Sequence, residues 1–259
     1  MKRRSYIGIT GFISPDEITE TLRGIDMRNT NRLLMVGVLA SSRTIRGIPN
    51  KWPTRYPPPE KIKTIFSVHP QCLNLLHYNT KEPETLLMQL IGITNQLGNV
   101  LHGFQLNVPW PEPSVLAAYR SYYPDKCIVL QIGPQAFEEV GNNPKILAQQ
   151  VGEYQGGADY ILLDPSGGLG QPFISQMIER HLSELTEKWG SQFGFAVAGG
   201  LSPTTIYSIA TLIKKFPDLS IDAEGRLRRP SDDALDVDAA RTYFQKALQV
   251  ISSPPVVLH

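Results

Sequence analysis

Phe195-Ala196-Val197-Ala198-Gly199-Gly200-Leu201-Ser202-Pro203 reads as a buried strand, a pair of glycines and a capped helix start. Serine accepts from the unpaired N–H groups of a first helical turn, and Pro203 suits the first helical position. The glycines let a ligand approach the backbone closely, and a helix N-terminus behind them favours an anion. The stretch therefore predicts a phosphate cradle at Gly199 and Gly200. It lies late in the chain, where barrels of alternating strands and helices recurrently carry such a site. The plain alternative is a tight strand-to-helix turn.

Outward from this stretch, short apolar runs alternate with helical periodicity. Strands are expected over 6–12, 32–40, 72–79, 100–108, 126–133, 158–164, 194–198 and 219–223. They contain few charges, as parallel strands covered by helices do. Helices fit between them. Ser14-Pro15-Asp16-Glu17 is a capping-box start, followed by Ile18, Leu22 and Ile25 on one face. Leu87, Leu90, Ile91 and Thr94 form a stripe in the third helix, and Ile174, Ile178, His181 and Leu185 in the sixth. Ile206, Ile209, Ala210 and Ile213 mark the seventh. Val237, Ala240, Phe244, Ala247 and Ile251 mark the last. Eight strands alternating with eight helices predict an α/β fold, a (β/α)8 barrel forming a single domain over residues 1–259. An open doubly wound sheet is the runner-up.

Composition narrows the function classes. The 259 residues are enough for one full barrel core. Charges nearly balance, 25 Lys plus Arg against 24 Asp plus Glu, so no global field points to nucleic acid or an anionic membrane. No apolar run approaches the roughly 20 residues that span a bilayer. The basic Met1-Lys2-Arg3-Arg4-Ser5 leads straight into a strand and makes a poor signal peptide. Two cysteines, Cys72 and Cys127, imply no disulfide framework; at strand starts they fall at the barrel bottom. A cytoplasmic protein, monomeric or homodimeric, is the expectation. No His, Cys and carboxylate cluster has metal-ligand spacing, so neither metal nor cofactor is expected.

Barrel chemistry comes from the C-terminal ends of strands, and here those ends are polar. The third ends His77-Tyr78-Asn79, the fourth holds Gln105 and Asn107, the fifth Gln131, the sixth ends at Asp164, and the eighth runs Asp222-Ala223-Glu224. Period-two geometry puts His77 with Asn79, Gln105 with Asn107, and Asp222 with Glu224. Asp164 follows an apolar run and precedes Pro165-Ser166-Gly167-Gly168-Leu169-Gly170; a carboxyl at an apolar rim is expected to hold its proton and act as a general acid. Its alternative is to cap the following loop. His77 is expected near neutral pKa, or else as a hydrogen-bonded rim histidine. Asp222 is a candidate base, or a partner of a nearby arginine. The stretch 41–59, with Arg43, Arg46, Lys51, Trp52, Arg55 and Tyr56, reads as a lid or as an elaborated surface loop. Trp52, Trp110 and Pro111-Glu112-Pro113 fit a lid or a protein contact.

These residues resemble the phosphoribosylanthranilate isomerases of tryptophan biosynthesis. Ile7-Gly8-Ile9-Thr10, Pro53-Thr54-Arg55-Tyr56-Pro57-Pro58-Pro59-Glu60, Phe104-Gln105-Leu106-Asn107, Leu162-Leu163-Asp164 with Gly167-Gly168-Leu169-Gly170, and Ala198-Gly199-Gly200-Leu201-Ser202-Pro203 follow that family's motifs in order. The resemblance implies an Amadori-type aldose–ketose isomerisation of a phosphosugar. Asp164 would be the acid, Arg55 would hold a substrate carboxylate, and Gly168, Gly170, Gly199, Gly200 and Gly225 would hold the phosphate. From their places at the strand ends and in the Arg226–Arg229 segment, Gln105, Asn107 and Gln131 are expected to line the substrate and Arg226 to meet the phosphate. The family's cysteine base falls at Ile7, which accepts no proton, leaving His77 and Asp222 as candidates. Asn107 and Thr205 stand where the family has histidine and asparagine. Glu224 would repel a phosphate unless Arg226, Arg228 or Arg229 offsets it. Three readings follow: an isomerase or related proton-transfer enzyme on an anionic phosphosugar with an altered base; a phosphoribosylanthranilate isomerase with a relocated base, which Ile7 argues against; or a catalytically silent barrel that binds a phosphate ligand or a protein.

Overall fold

Eight strands carry the architecture: β1 (Tyr6–Thr10), β2 (Leu33–Ser41), β3 (Cys72–Asn79), β4 (Gly103–Leu106), β5 (Cys127–Ile132), β6 (Tyr160–Leu163), β7 (Gly194–Ala198) and β8 (Ser220–Ala223). In the computed structural model, which describes residues 4–66, 69–167 and 175–252, each strand pairs in parallel with the next and β8 returns to β1. The sheet is thus a closed (β/α)8 barrel with helices between the strands.

Period two sorts each strand into an outward and an inward face. Ile7, Ile9, Val36, Leu76, Leu130 and Val197 join the large apolar layer under the helices. Tyr6, Met35, Leu75, Val129, Tyr160, Leu162 and Ala196 form a separate cluster that fills the barrel's lower interior. The next inward positions, toward the strand C-termini, are Thr10, His77, Gln105, Gln131, Asp164 and Asp222, all buried. The barrel's upper floor is therefore polar.

Several expected boundaries move. The fourth strand shrinks from 100–108 to Gly103–Leu106, because Gly98 turns with φ +64° and Gly98–Val100 winds as a 3-10 turn. The buried stripe of the third strand's helix is Leu86, Leu90, Ile93, Thr94 and Leu97; Leu87 and Ile91 are only half-buried. The stretch 41–59 contains a helical turn, Ser42–Ile45, capped by the Ser41 hydroxyl. Ser14 and Glu17 form the expected reciprocal capping box, but that helix stops at Leu22, before Ile25. Ile174 lies outside the described residues.

Candidate functional site

The helix expected to start at Pro203 does not. Residues 203–205 form a turn, Ile206–Ile209 a 3-10 segment, and the α-helix begins only at Ala210. Ser202 still caps, its hydroxyl oxygen accepting from the N–H groups of Thr204 and Thr205 at 3.3 Å each. Gly199 and Gly200 take φ of +124° and +62°, so their conformation calls for glycine. The backbone after β7 therefore approaches the mouth as a glycine turn, without the aligned dipole of a helix.

One hydrogen-bonded chain spans the mouth. Thr10 donates to Asp222 at 3.2 Å, and the Gln105 amide donates to Asp222 at 3.2 Å and to the Gln131 carbonyl at 3.3 Å. Gln131 in turn donates to Asp164 at 2.9 Å. Asp164 also accepts from the Ser166 N–H at 3.1 Å and its hydroxyl at 2.8 Å. It thus caps the following turn as well as facing the mouth, and all three bonds use it as an acceptor. Among the described residues Asp222 meets no arginine; its partners are Thr10 and Gln105. Burial pushes its carboxyl up to about 7, and the charges of Glu224 and Asp164 push the same way, against those two hydrogen bonds.

His77 departs from expectation. Burial pushes its imidazole down to about 4, so it is neutral across the ordinary pH range. Among the described residues, neither ring nitrogen meets a partner in good hydrogen-bond geometry, although the Gln131 side chain is near enough to favour the charged imidazole, and the Gln105 carbonyl oxygen has no donor. The nearest carboxylate, Glu224, lies 4.0 Å from Nδ1, too far for a hydrogen bond. Buried polar atoms left unsatisfied are costly and call for an explanation. Here they belong to residues of one pocket, whose lining includes His77, Gln105, Asp164, Asp222 and Glu224 together with Gly199, Gly200, Gly225 and Arg226. Its free volume is about 20 Å³, room for one water-sized group.

A charged latch lies beside the mouth, joined to it through Glu224. Arg55, expected to grip a substrate carboxylate, forks onto Asp233 with contacts of 2.5 and 2.6 Å. Its third nitrogen lies 3.7 Å from Glu224. Asp233 adopts a left-handed φ of +59°, a strained setting for a residue other than glycine. Arg228, its side chain 3% exposed, lies 3.6 Å from Glu224 and donates to the Asp233 carbonyl at 3.0 Å. Its guanidinium occupies the space a Cβ on Gly11 would take. Glu224 is thus offset by Arg55 and Arg228; Arg229 is paired with Asp232. Burial nonetheless raises the Glu224 carboxyl.

The remaining expectations divide. Ile7 faces the helices, so the inward residue at that level of β1 is Gly8; a Cβ there would lie 2.6 Å from Asp222. The absence of a base at Ile7 thus removes nothing from the mouth. Asn107 sits half-buried beyond β4, 4.0 Å from where a Gly133 Cβ would be, apart from the hydrogen-bonded chain. Asn79 is exposed at the end of β3. Gly168 and Gly170 lie outside the described residues. Trp110 packs inward, stacked on Tyr154 and donating to the Ala136 carbonyl, while Trp52 is exposed beneath Lys51. Among the described residues, no group of three His, Cys, Asp or Glu could hold a metal ion, and no helix is long and apolar enough to cross a membrane. Thr10, Ser166 and Asp233 were not singled out by sequence. The Asp-Pro-Ser order of 164–166 was the available signal for Ser166, and the inward parity of Tyr6, Gly8 and Thr10 the signal for Thr10.

No family model matches the sequence, and no curated protein does. Solved structures match the fold. Phosphoribosyl anthranilate isomerase in complex with reduced 1-(o-carboxyphenylamino)-1-deoxyribulose 5-phosphate aligns at 15% identity and TM-score 0.60, over 95% of this chain and 99% of that one. Triosephosphate isomerase from Bartonella henselae aligns at 10% identity and TM-score 0.56, covering 94% and 98%. The catalytic domain of a chitinase from Pyrococcus furiosus aligns at 8% identity and TM-score 0.56, covering 96% of each. Isomerases and a chitinase at similar scores share an architecture and not a reaction.

Proposed function

We propose that this barrel is an isomerase or related proton-transfer enzyme acting on a phosphorylated sugar. The observation that carries the reading is the hydrogen-bonded chain joining Asp222 to Asp164 across the mouth, in a pocket shared with a glycine turn. Asp222, held near 7, exchanges a proton at neutral pH and so suits both removal of the proton beside a sugar carbonyl and its return to the neighbouring carbon. Asp164, an acceptor in every bond it makes, orients Gln131 and the ligand. The proton-carrying role thus falls to Asp222. Neutral His77 and the Gln105 carbonyl are left to meet sugar hydroxyls. Gly199, Gly200, Gly225 and Arg226 line the same pocket and suit the phosphate. The likeness to two isomerases in fold is compatible with this and does not carry it.

The test is solvent-deuterium incorporation, followed by NMR, into a panel of aldose and ketose phosphates. The expected result is exchange at the carbon next to the carbonyl for at least one sugar, lost in Asp222→Asn. Exchange that persists in Asp222→Asn would refute the assignment. The engagement of Arg55 by Asp233, which leaves it unavailable to a substrate carboxylate, favours a second reading, a barrel that binds a phosphorylated ligand without turnover. Binding with no exchange across the panel would establish that one instead.

A further inference from the structure

The inner end of the pocket is built almost wholly of acceptors. Asp164, Asp222 and Glu224 all line it. The Gln105 carbonyl oxygen has no donor, and neutral His77 offers an unpartnered ring nitrogen; these two residues are 1% and 7% exposed. Apart from the one N–H of neutral His77, the side-chain donors here are engaged: Thr10 on Asp222, the Gln105 amide on Asp222 and Gln131, the Gln131 amide on Asp164. Buried acceptors call for donors, and facing carboxylates call for positive charge. The acceptors do not converge tightly enough to hold a metal ion among the described residues. The free space of the whole pocket, about 20 Å³, takes one group the size of water; an ammonium is such a group, with three N–H donors for spread acceptors, and a phosphate on the same ligand would then lie at the pocket's outer edge.

We infer that the ligand of this site carries a primary ammonium, which enters the carboxylate-lined inner end while its phosphate rests against Gly199, Gly200, Gly225 and Arg226. The inference rests on the phosphorylated-ligand reading above and narrows it to phosphorylated amines. Glu224 then has a purpose that a phosphate alone does not give it. Arg55 and Arg228 behind it hold a carboxylate at the pocket wall, where it attracts the ammonium, while Arg226 meets the phosphate.

Matched pairs test this by calorimetry on the whole chain: glucosamine 6-phosphate against glucose 6-phosphate, and O-phosphoethanolamine against ethyl phosphate. The expected result is at least tenfold tighter binding of the amine in one or both pairs, and loss of that preference in Glu224→Gln with binding of the amine-free partner kept. Asp222→Asn, the same shape without the charge, gives a second variant should Glu224→Gln fail to fold. Equal or weaker binding of the amine in both pairs would overturn the inference and leave the phosphate reading standing. Absence of binding by all four compounds would overturn both. An amine preference that survives in both variants would place the ammonium elsewhere and refute the assignment to this pocket.

Discussion

Replacing Asp222 by asparagine makes the folded protein more stable relative to wild type as the pH rises, with a size set by the barrel interior. The carboxyl ionises near 3.8 in ordinary surroundings and near 7 in the fold. Between those values the unfolded chain has released the proton and the native state keeps it, so wild-type stability falls by about 1.4 kcal/mol per pH unit. Over roughly three pH units the loss reaches about 4 kcal/mol. Below pH 4 both states are protonated and the penalty is absent; above about 7.5 both are ionised and the penalty is constant. Asparagine keeps the shape and carries no charge at any pH. Glu224, also raised by burial, is present in both proteins and cancels to first order. Urea melts of the two proteins at intervals from pH 4 to 8.5 give the difference in unfolding free energy directly. The reasoning predicts a difference that grows in favour of Asp222→Asn between pH 4 and 7 and then levels. Parallel stability curves across this range would refute it, and with it the role of Asp222 as a proton carrier near neutrality.

Two further outcomes follow from the mouth. In Asp233→Asn, the Arg55 fork loses its counter-charge; the pair is partly exposed, so stability changes by no more than about 1 kcal/mol, while affinity for inorganic phosphate measured by calorimetry rises severalfold. Unchanged affinity would show that the latch does not restrict the site. The His77 ring nitrogens, followed by 15N NMR from pH 5.5 to 8.5, keep the shifts of a neutral imidazole in Asp222→Asn, because the ring is held neutral down to about 4; conversion to the imidazolium pattern near 6.5 would show that the ring is solvated.

The barrel was legible in the sequence because its rule is local. Runs such as Leu34–Ala40 and Ile128–Ile132 have no charge to place outside, and the Ser14–Glu17 box marks a helix start from four adjacent residues. The polar floor was legible as well, since His77, Gln105, Gln131, Asp164 and Asp222 each interrupt an apolar strand near its end. What escaped is who meets whom. Thr10 and Asp222 stand 212 residues apart, and Arg55 and Asp233 stand 178 apart; closure of the barrel brings them together, and no local spacing records it. The helix expected at Pro203 failed for a different reason. Serine and proline are signals of a first turn, and a turn formed, but Thr204 and Thr205 bond to the Ser202 hydroxyl and the chain tightens into 3-10 geometry before the α-helix starts.

The reading of Ile7 shows how motif alignment and strand parity separate. Alignment puts the resembling family's base at Ile7, and a lost base argues against catalysis. Parity assigns the interior to Tyr6, Gly8 and Thr10, and the pairing of Gly8 with Asp222 fixes which of the two holds. A glycine at that level leaves no side chain between β1 and the Asp222 carboxyl, and the 2.6 Å approach means that alanine there collides with it. The space a base on β1 would need is therefore taken by the acid of β8. Two side chains cannot both fill that volume, so Gly8 on β1 and the buried Asp222 on β8 go together. Any residue larger than Gly8 at this level would meet both the Asp222 carboxyl and the end of Met35.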